Sequence, residues 1–520
     1  MPSPGFPEQP SLLYESVAYF ARARRDALAC IDLSTGERLD YGAMEQRAAR
    51  IAAVIANVCV PRVTRGLRVA VLSRNSVDFL CLTVACRALG ATFVPFNWRL
   101  TTAELVTLTE LAEPQVVFFQ EEFAASVADL MRAAPRATFL GLGEHGELER
   151  EIARPLHRLP ELHGAAPDDV VTLLFTSGTT GRPKAVMVTE RNATATARNF
   201  ALSVDVSGET VFLSHMPMFH VAGLFTVATT VLQAGGTLVI SPQFSVEETL
   251  AAIGDESLGV SHCFCVPQMT DRLRNAPSFD PAPFRRLKVL QTGGAPHARA
   301  SVLAWIEAGV RCADGYGMTE AGTVLGMPPR DLELLLRKAG AAGVPAASIE
   351  IRLRDPEGRD VAAGEIGELC LRGPSVTPGY WRDAGATAQA FVDGWFRTGD
   401  AARLDEDGFF TLVDRFKDMY ISGGENVFPA EVEAVLRYNP GIIDAAVIGV
   451  PDPRWGESGA AFLVMAPGKT LTDDEIVQFC RTRLAGYKLP KQLHRVNELP
   501  RTASGKIRKD LLRARGGTGN

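Results

Sequence analysis

The chain reads as an α/β protein of more than one domain, with a large N-terminal part on parallel sheets and a small α+β part at its end. Three features predict this. The first ~170 residues alternate short β-rich runs with helical patterns, which is how helices come to cover a parallel sheet. Between 349 and 414 the texture changes to short alternating strands separated by Gly and Pro turns, a smaller β-rich unit. The last ~100 residues read as a compact α+β unit. A length of 520 residues fits this division, because at roughly 150 residues per domain it is too long for one core.

Each element follows from local pattern. Val69–Leu72 is an apolar run that reads as a buried strand, and Val77–Leu89 has helical periodicity stopped by Gly90. Ala91–Pro95 is a strand, Thr102–Leu111 a helix and Gln115–Phe119 a strand. After the Pro/Asp stretch near Pro167, Val170–Phe175 is a strand that runs into a Ser/Thr/Gly loop. Leu287–Gln291 is a strand entering Gly293 and Gly294, and Ala298–Ala308 is a helix. IEIRLRD, IGELCLRG and FFTLVD are the short strands of the β-rich stretch. Near the end, Pro429–Arg437 and Asp473–Leu484 read as helices, Ile443–Val450 and Ala460–Met465 as strands.

Composition excludes several classes. Hydrophobic residues at 46% and charged residues at 22% are ordinary globular usage, against a disordered, collagen-like or coiled-coil chain. The net charge of −6 argues against a polyanion binder as a whole, and no nucleic-acid motif is present. Nine cysteines, an odd number with no C-x-x-C pair, point to reduced thiols and a cytoplasmic location. The N-terminus shows no secretory signal. Val221–Leu232, with three threonines, is too short to span a bilayer, so no transmembrane segment is expected and peripheral membrane contact is left open. Residues 481–515 carry eleven Lys/Arg against Glu498 and Asp510, either a solvated basic face or a surface for a phosphorylated ligand.

The most informative string is Leu174-Phe-Thr-Ser-Gly-Thr-Thr-Gly-Arg-Pro-Lys184. It leaves a buried strand at the sheet edge where ligands bind in open α/β folds. Gly178 and Gly181 let backbone N–H groups turn toward a phosphate. Thr176, Ser177, Thr179 and Thr180 add hydroxyls, and Lys184 adds positive charge. A Walker A loop is excluded, because Lys184 follows Pro183 and precedes Ala185 with no metal-binding hydroxyl. A Ser/Thr/Gly run alone is an ordinary turn; the whole string after a strand is far more specific.

Six such segments, in order, resemble the adenylate-forming superfamily of acyl-CoA synthetases, aryl-CoA ligases, luciferases and peptide-synthetase adenylation domains. They are the loop above, Met216–Gly223, Gly293–Pro296, Asp314–Glu320, Trp395–Asp400 with Asp414–Asp418, and Pro500–Lys506. The resemblance implies a large N-terminal domain, residues 1–416, of Rossmann-like parallel sheets with a small β-rich subdomain. It implies a small mobile α+β C-terminal domain, residues 417–520, hinged at Lys417. It also implies ATP and coenzyme A as substrates, Mg²⁺ as cofactor, a small-molecule carboxylic acid as the third partner, and a monomer or homodimer.

Site roles follow residue by residue. Gly294, Ala295, Pro296, Asp314, Gly315, Tyr316, Gly317 and Met318 are expected around the nucleotide, with the Tyr316 ring stacking on a purine. Thr319 and Glu320 are expected to contact a phosphate oxygen and Mg²⁺, with Thr176 as a further metal donor, since a hard cation prefers oxygen. Asp400 would accept the ribose hydroxyls, with Arg415 donating to them. Lys506 is expected to be the main catalytic cation, stabilising the charge that builds at the α-phosphate. His220 gates or lines the carboxylate site, although a histidine in an apolar segment is ordinarily a core residue. Gly423 and Gly424 would let a pantetheine chain pass, and Trp455 and Tyr487 would contact coenzyme A or else pack on their own core. His262-Cys-Phe-Cys265 reads as a buried strand, not zinc ligands.

The acyl pocket is expected from Ala222, Gly223, Thr226, Gly293, Ala295 and Val324, side chains too small and apolar to serve a charged tail. Gly315 stands where malonate-activating relatives carry arginine, and no acid is placed to hold an α-amino group. What remains is a medium- or long-chain fatty acid, or an aryl or aryl-propenoic acid of the feruloyl type. An enzyme that loads a carrier protein, and a nucleotide-binding protein without catalysis, are the competing readings. Three positions leave the family pattern: Ala185, Asp314 where asparagine or glutamine often meets the adenine amine, and His297-Ala298 after Gly293–Pro296.

Overall fold

The computed structural model describes residues 12–58, 65–154, 162, 164–177, 183–295, 297–501 and 507–516. The chain divides into two compact units. One comprises residues 1–350 and 371–396, the other 351–370 and 397–520.

Two sheets organise the first unit. One has six strands in the order Thr138–Leu142, Val116–Gln120, Arg68–Leu72, Thr92–Pro95, Val170–Ser177, Pro183–Thr189. The first five run parallel and the last is antiparallel. Their apolar runs are buried on both faces, as helix-covered parallel strands must be. The connecting helix Val77–Leu89 has the predicted bounds. Ser76 accepts the Phe79 N–H at its start, Asp78 suits the first turn, and Gly90 closes it at φ 65°.

The second sheet has nine strands, running Val344–Pro345, Gly322–Gly326, Cys312–Met318, Val289–Thr292, His262–Cys265, Val211–Ser214, Thr237–Ile240, Leu28–Asp32, Arg38–Asp40. Its centre is parallel and its edges antiparallel. Cys312–Met318 changes role along its length: Asp314 still pairs in parallel with Thr292, whereas Gly315 pairs antiparallel with Gly326. The apolar stretch after His220 forms a π-helix, Ala222–Thr229, continued by an α-turn to Ala234. Thr229 and Thr230 donate their hydroxyls to the carbonyls of Leu224 and Phe225, five residues back, and so cap the wider turns.

In the second unit, Asp400–Leu404 pairs antiparallel with Phe410–Arg415. Beyond it lies a sheet ordered Glu425–Val427, Tyr420–Ser422, Gly456–Met465, Ile442–Asp452, with Gln492–Arg495 parallel to Gly456–Met465. Two apolar clusters form its core, one around Val447, Leu463 and Ile476, the other around Ile448, Phe462 and Leu512. The helix Asp473–Arg481 ends short of Leu484, because the N–H groups of Arg483 and Leu484 both fold back onto the Cys480 carbonyl. The described cysteines are free buried thiols, and no described helix is long and apolar enough to cross a membrane.

Candidate active site

The site in the first unit starts from a β-hairpin. Near the end of its strand Thr176 stands opposite Lys184, and Ser177 opposite Pro183. Gly178, Thr179, Thr180 and Gly181, together with Pro296 and Lys506, lie outside the described residues; for Ser177 and Lys417 the backbone alone is described.

A segment distant in sequence completes the hairpin's edge. Tyr380 bridges Val186, Trp381 N–H donates to the Ala185 carbonyl at 2.8 Å, and Met187 N–H donates to that of Gly379 at 3.0 Å. This pairing sets the Tyr380 ring 4.8 Å beneath the Lys184 ammonium. The Tyr380 hydroxyl donates to Glu320 Oε1 at 3.1 Å, and Thr377 N–H donates to the Glu320 carbonyl at 2.7 Å. Burial first, then the Glu320 carboxylate, pushes the Tyr380 phenol up, so it stays protonated and donating. Thr319 and Glu320 occupy the turn between Cys312–Met318 and Gly322–Gly326. Lys184 and Glu320 are thus joined through Tyr380, a residue the sequence reading did not select. Its only sequence signal is an aromatic pair after Pro378-Gly379 in an aperiodic stretch.

Glu320 and Thr319 open into a small cleft, partly open to solvent and lined also by Val221, Phe225, Asn192 and Thr377. Val221 and Phe225 flank the expected acyl segment. Ala222, Gly223, Thr226, Gly293 and Val324 are not among the lining residues. His220 is half-buried and begins the helical stretch, accepting the Leu224 N–H at 3.0 Å. Gly294 and Ala295 form the turn after Val289–Thr292, and Tyr316, Gly317 and Met318 end their strand half-buried. The Tyr316 hydroxyl lies 3.7 Å from the Met318 sulfur.

His262, Cys263, Phe264 and Cys265 form a fully buried strand, and His215 joins them. His215 Nε2 lies 3.6 Å from Cys265 Sγ, itself 3.8 Å from Cys263 Sγ. The Cys263 thiol and burial push Cys265 up, while burial lowers His215 to about 4. All three side chains are buried, and among the described residues His215 Nδ1 lacks the outer partner that fixes a metal-bound imidazole.

The second unit holds the other expected residues. Arg415 Nε lies 3.3 Å from Asp400 Oδ1, opposite it on the adjoining strand. Lys417 sits in a single 3₁₀ turn, Phe416–Asp418. Asp418 pairs with Arg513 at 2.7 Å, and Asp414 accepts the Ala430 N–H at 2.6 Å while burial pushes its carboxyl up. Gly423 and Gly424 make a tight hairpin at φ 63° and 89°. Gly423 N–H donates to the Trp455 carbonyl at 2.8 Å, and a Cβ there would meet the Trp455 ring at 2.7 Å, so only glycine fits. Arg454 and Lys491 lie 5.2 and 5.6 Å from that indole. Tyr487 packs against the small core. Among the described residues of the basic stretch, Lys488 pairs with Glu431, Arg495 with Asp473, Arg501 with Asp444 and Lys509 with Glu433.

Known proteins share this organisation. The AMP-binding enzyme model matches residues 17–381, and that of the AMP-binding enzyme C-terminal domain matches 431–506. Feruloyl-CoA synthase from Amycolatopsis sp is 40% identical over 95% of this chain and 98% of its own. Long-chain-fatty-acid–CoA ligase FadD13 of Mycobacterium tuberculosis is 36% identical over 93% and 94%. Among solved structures, ATP-bound MatB from Rhodopseudomonas palustris has a TM-score of 0.89 at 28% identity, covering 98% of this chain and 99% of its own. A Mycobacterium tuberculosis fatty acyl CoA synthetase has a TM-score of 0.76 at 33% identity, covering 97% and 98%. The chain belongs to the AMP-binding enzyme family, and within the adenylate-forming superfamily it is an acyl-CoA synthetase of the AMP-forming kind.

Proposed function

We propose that the enzyme activates a medium- or long-chain fatty acid. Its carboxylate oxygen attacks the α-phosphorus of ATP, pyrophosphate leaves, and an acyl-adenylate forms. The thiol of coenzyme A then attacks the acyl carbonyl and AMP leaves. The observation that carries this reading is the contact chain from Lys184 through Tyr380 to Glu320. It gathers a cation and a carboxylate from segments far apart in sequence, beside a cleft that Val221 and Phe225 make partly apolar.

Within this reading, Lys184 and the loop after Thr176 hold the β- and γ-phosphates. Glu320 and Thr176 fit Mg²⁺, since they offer hard oxygen donors; when bound, it would neutralise phosphate charge. The nucleotide lies along Gly294–Pro296 and Asp314–Met318, with Asp400 and Arg415 on the ribose. A mobile domain, residues 417–520, turns at Lys417. In one orientation it delivers Lys506 to the α-phosphate; in the other it presents Gly423, Gly424 and Trp455 to coenzyme A. His220, Ala222, Gly223, Thr226, Gly293 and Val324 surround the acid. The enzyme works in the cytoplasm as a monomer or homodimer.

A second substrate class has its own support: the 40% identity to feruloyl-CoA synthase favours an aryl-propenoic acid. A panel of acids with free coenzyme A decides between them. Acyl-CoA from C8–C16 fatty acids at a higher kcat/KM than from hydroxycinnamic acids supports the first. The reverse order supports the second. Transfer to a carrier protein alone refutes both.

A further inference from the structure

Two positions that depart from the family pattern, Asp314 and His297, bond to each other. Val289–Thr292 leads into Gly294, which takes a left-handed φ of 83°. His297 reaches the neighbouring strand, where Asp314 pairs with Thr292. His297 Nδ1 lies 2.9 Å from Asp314 Oδ1, and the Thr292 hydroxyl donates to the same oxygen. The His297 side chain is 3% exposed and that of Asp314 10%. A carboxylate can only accept, so Nδ1 carries the proton of this bond.

We propose that His297 is a positioning residue for base selection, holding Asp314 by one oxygen so that the other is presented to the 6-amino group of adenine. The inference rests on the reading above that Asp314 meets the base. An amide in that place could turn to offer either a donor or an acceptor. A carboxylate offers acceptors alone, so it welcomes the 6-amino group and repels the 6-oxygen of hypoxanthine or guanine. A buried carboxylate needs polar partners to hold it in place, and His297 and Thr292 supply them from one side. The two departures thus make sense together: the histidine fixes the aspartate that replaces the amide.

The test compares acid-dependent exchange of pyrophosphate into ATP and into inosine triphosphate, which carries oxygen in place of the 6-amino group. The wild-type enzyme should prefer ATP. His297→Ala should lower that preference about tenfold, through a raised KM for ATP with kcat within about twofold. His297→Asn, whose amide nitrogen takes the place of Nδ1, should restore it. In an Asp314→Ala background, His297→Ala should change the ratio no further. A purely structural histidine would depress both nucleotides alike; an unchanged ratio in a folded His297→Ala enzyme overturns the proposal. If the alanine variant fails to fold, His297→Asn and His297→Gln carry the same test. Glutamine places its amide where Nε2 stands, so the preference should survive in the first and fall in the second, and equal ratios overturn it. No exchange by the wild type with any acid would refute the ligase reading itself. Exchange with an Asp314→Ala ratio equal to wild type would refute the adenine placement, and the clamp with it.

Discussion

The Tyr380 hydroxyl donates to the Glu320 carboxylate at 3.1 Å while the face of its ring lies 4.8 Å from the Lys184 ammonium. One side chain therefore orients an anion with its polar end and holds a cation with its apolar face. Tyr380→Phe keeps the ring and removes the hydrogen bond. Acid-dependent pyrophosphate exchange should fall about tenfold, and Tyr380→Ala, which also frees Lys184, should lose several-fold more. Equal rates for the two variants would show that the ring contributes nothing.

Gly423 is the point at which the small hairpin touches Trp455. Gly423→Ala combines an unfavourable left-handed backbone with a Cβ driven against the indole, a strain of about 1–2 kcal/mol. Thioester formation from a synthetic acyl-adenylate and coenzyme A should slow about tenfold, whereas pyrophosphate exchange should stay within about twofold. Parallel losses in both assays would place this hairpin outside the thioester step.

Arg87 and Glu190 form a fully buried ion pair, and the Arg87 guanidinium lies 5.5 Å from the Phe225 ring on the π-helix that flanks the cleft. Arg87→Ala removes the guanidinium from this buried pair and should destabilise the first unit by about 3–5 kcal/mol. Arg87→Met in combination with Glu190→Gln should recover much of that loss. Denaturant midpoints of the two variants make the comparison.

Burial lowers both His215 and His262 to about 4. Below the ordinary histidine value of about 6.5 the unfolded chain takes up protons that the folded one refuses, so stability is full above that pH and drains away as pH falls toward about 4. Each histidine should remove about 2 kcal/mol between about pH 7 and pH 5. The urea midpoint of the first unit should fall over this range, with a shallower slope in a His215→Asn, His262→Gln enzyme. Identical slopes would contradict the assignment.

Much of this architecture was legible in the sequence, for physical reasons that differ by element. Val77–Leu89 carries its own start in Ser76 and Asp78 and its own stop in Gly90, so its bounds could be read directly. Pro429–Arg437 likewise begins with proline at its first turn, and its bounds agree. Tyr380 could not be found this way, because its place depends on a bridge to Val186 nearly two hundred residues away. His215 was missed beside Cys265 for the same reason: it follows Val211–Ser214, and only the pairing of that strand with His262–Cys265 brings them together. The π-helix after His220 left no periodic signature, since Val221–Leu232 has no charged residue to mark a solvent face.

In the function proposed above the chain joins a carboxylic acid to AMP with the help of Lys506, and pyrophosphate–ATP exchange measures that step without coenzyme A. Across fatty and aromatic acids, the wild-type enzyme should show exchange that requires both acid and Mg²⁺. Lys506→Ala should reduce it by at least about a hundredfold, with the unfolding midpoint unchanged. Exchange at the wild-type rate in Lys506→Ala would remove Lys506 from the adenylation step, and none in the wild type with any acid would rule that step out for this enzyme.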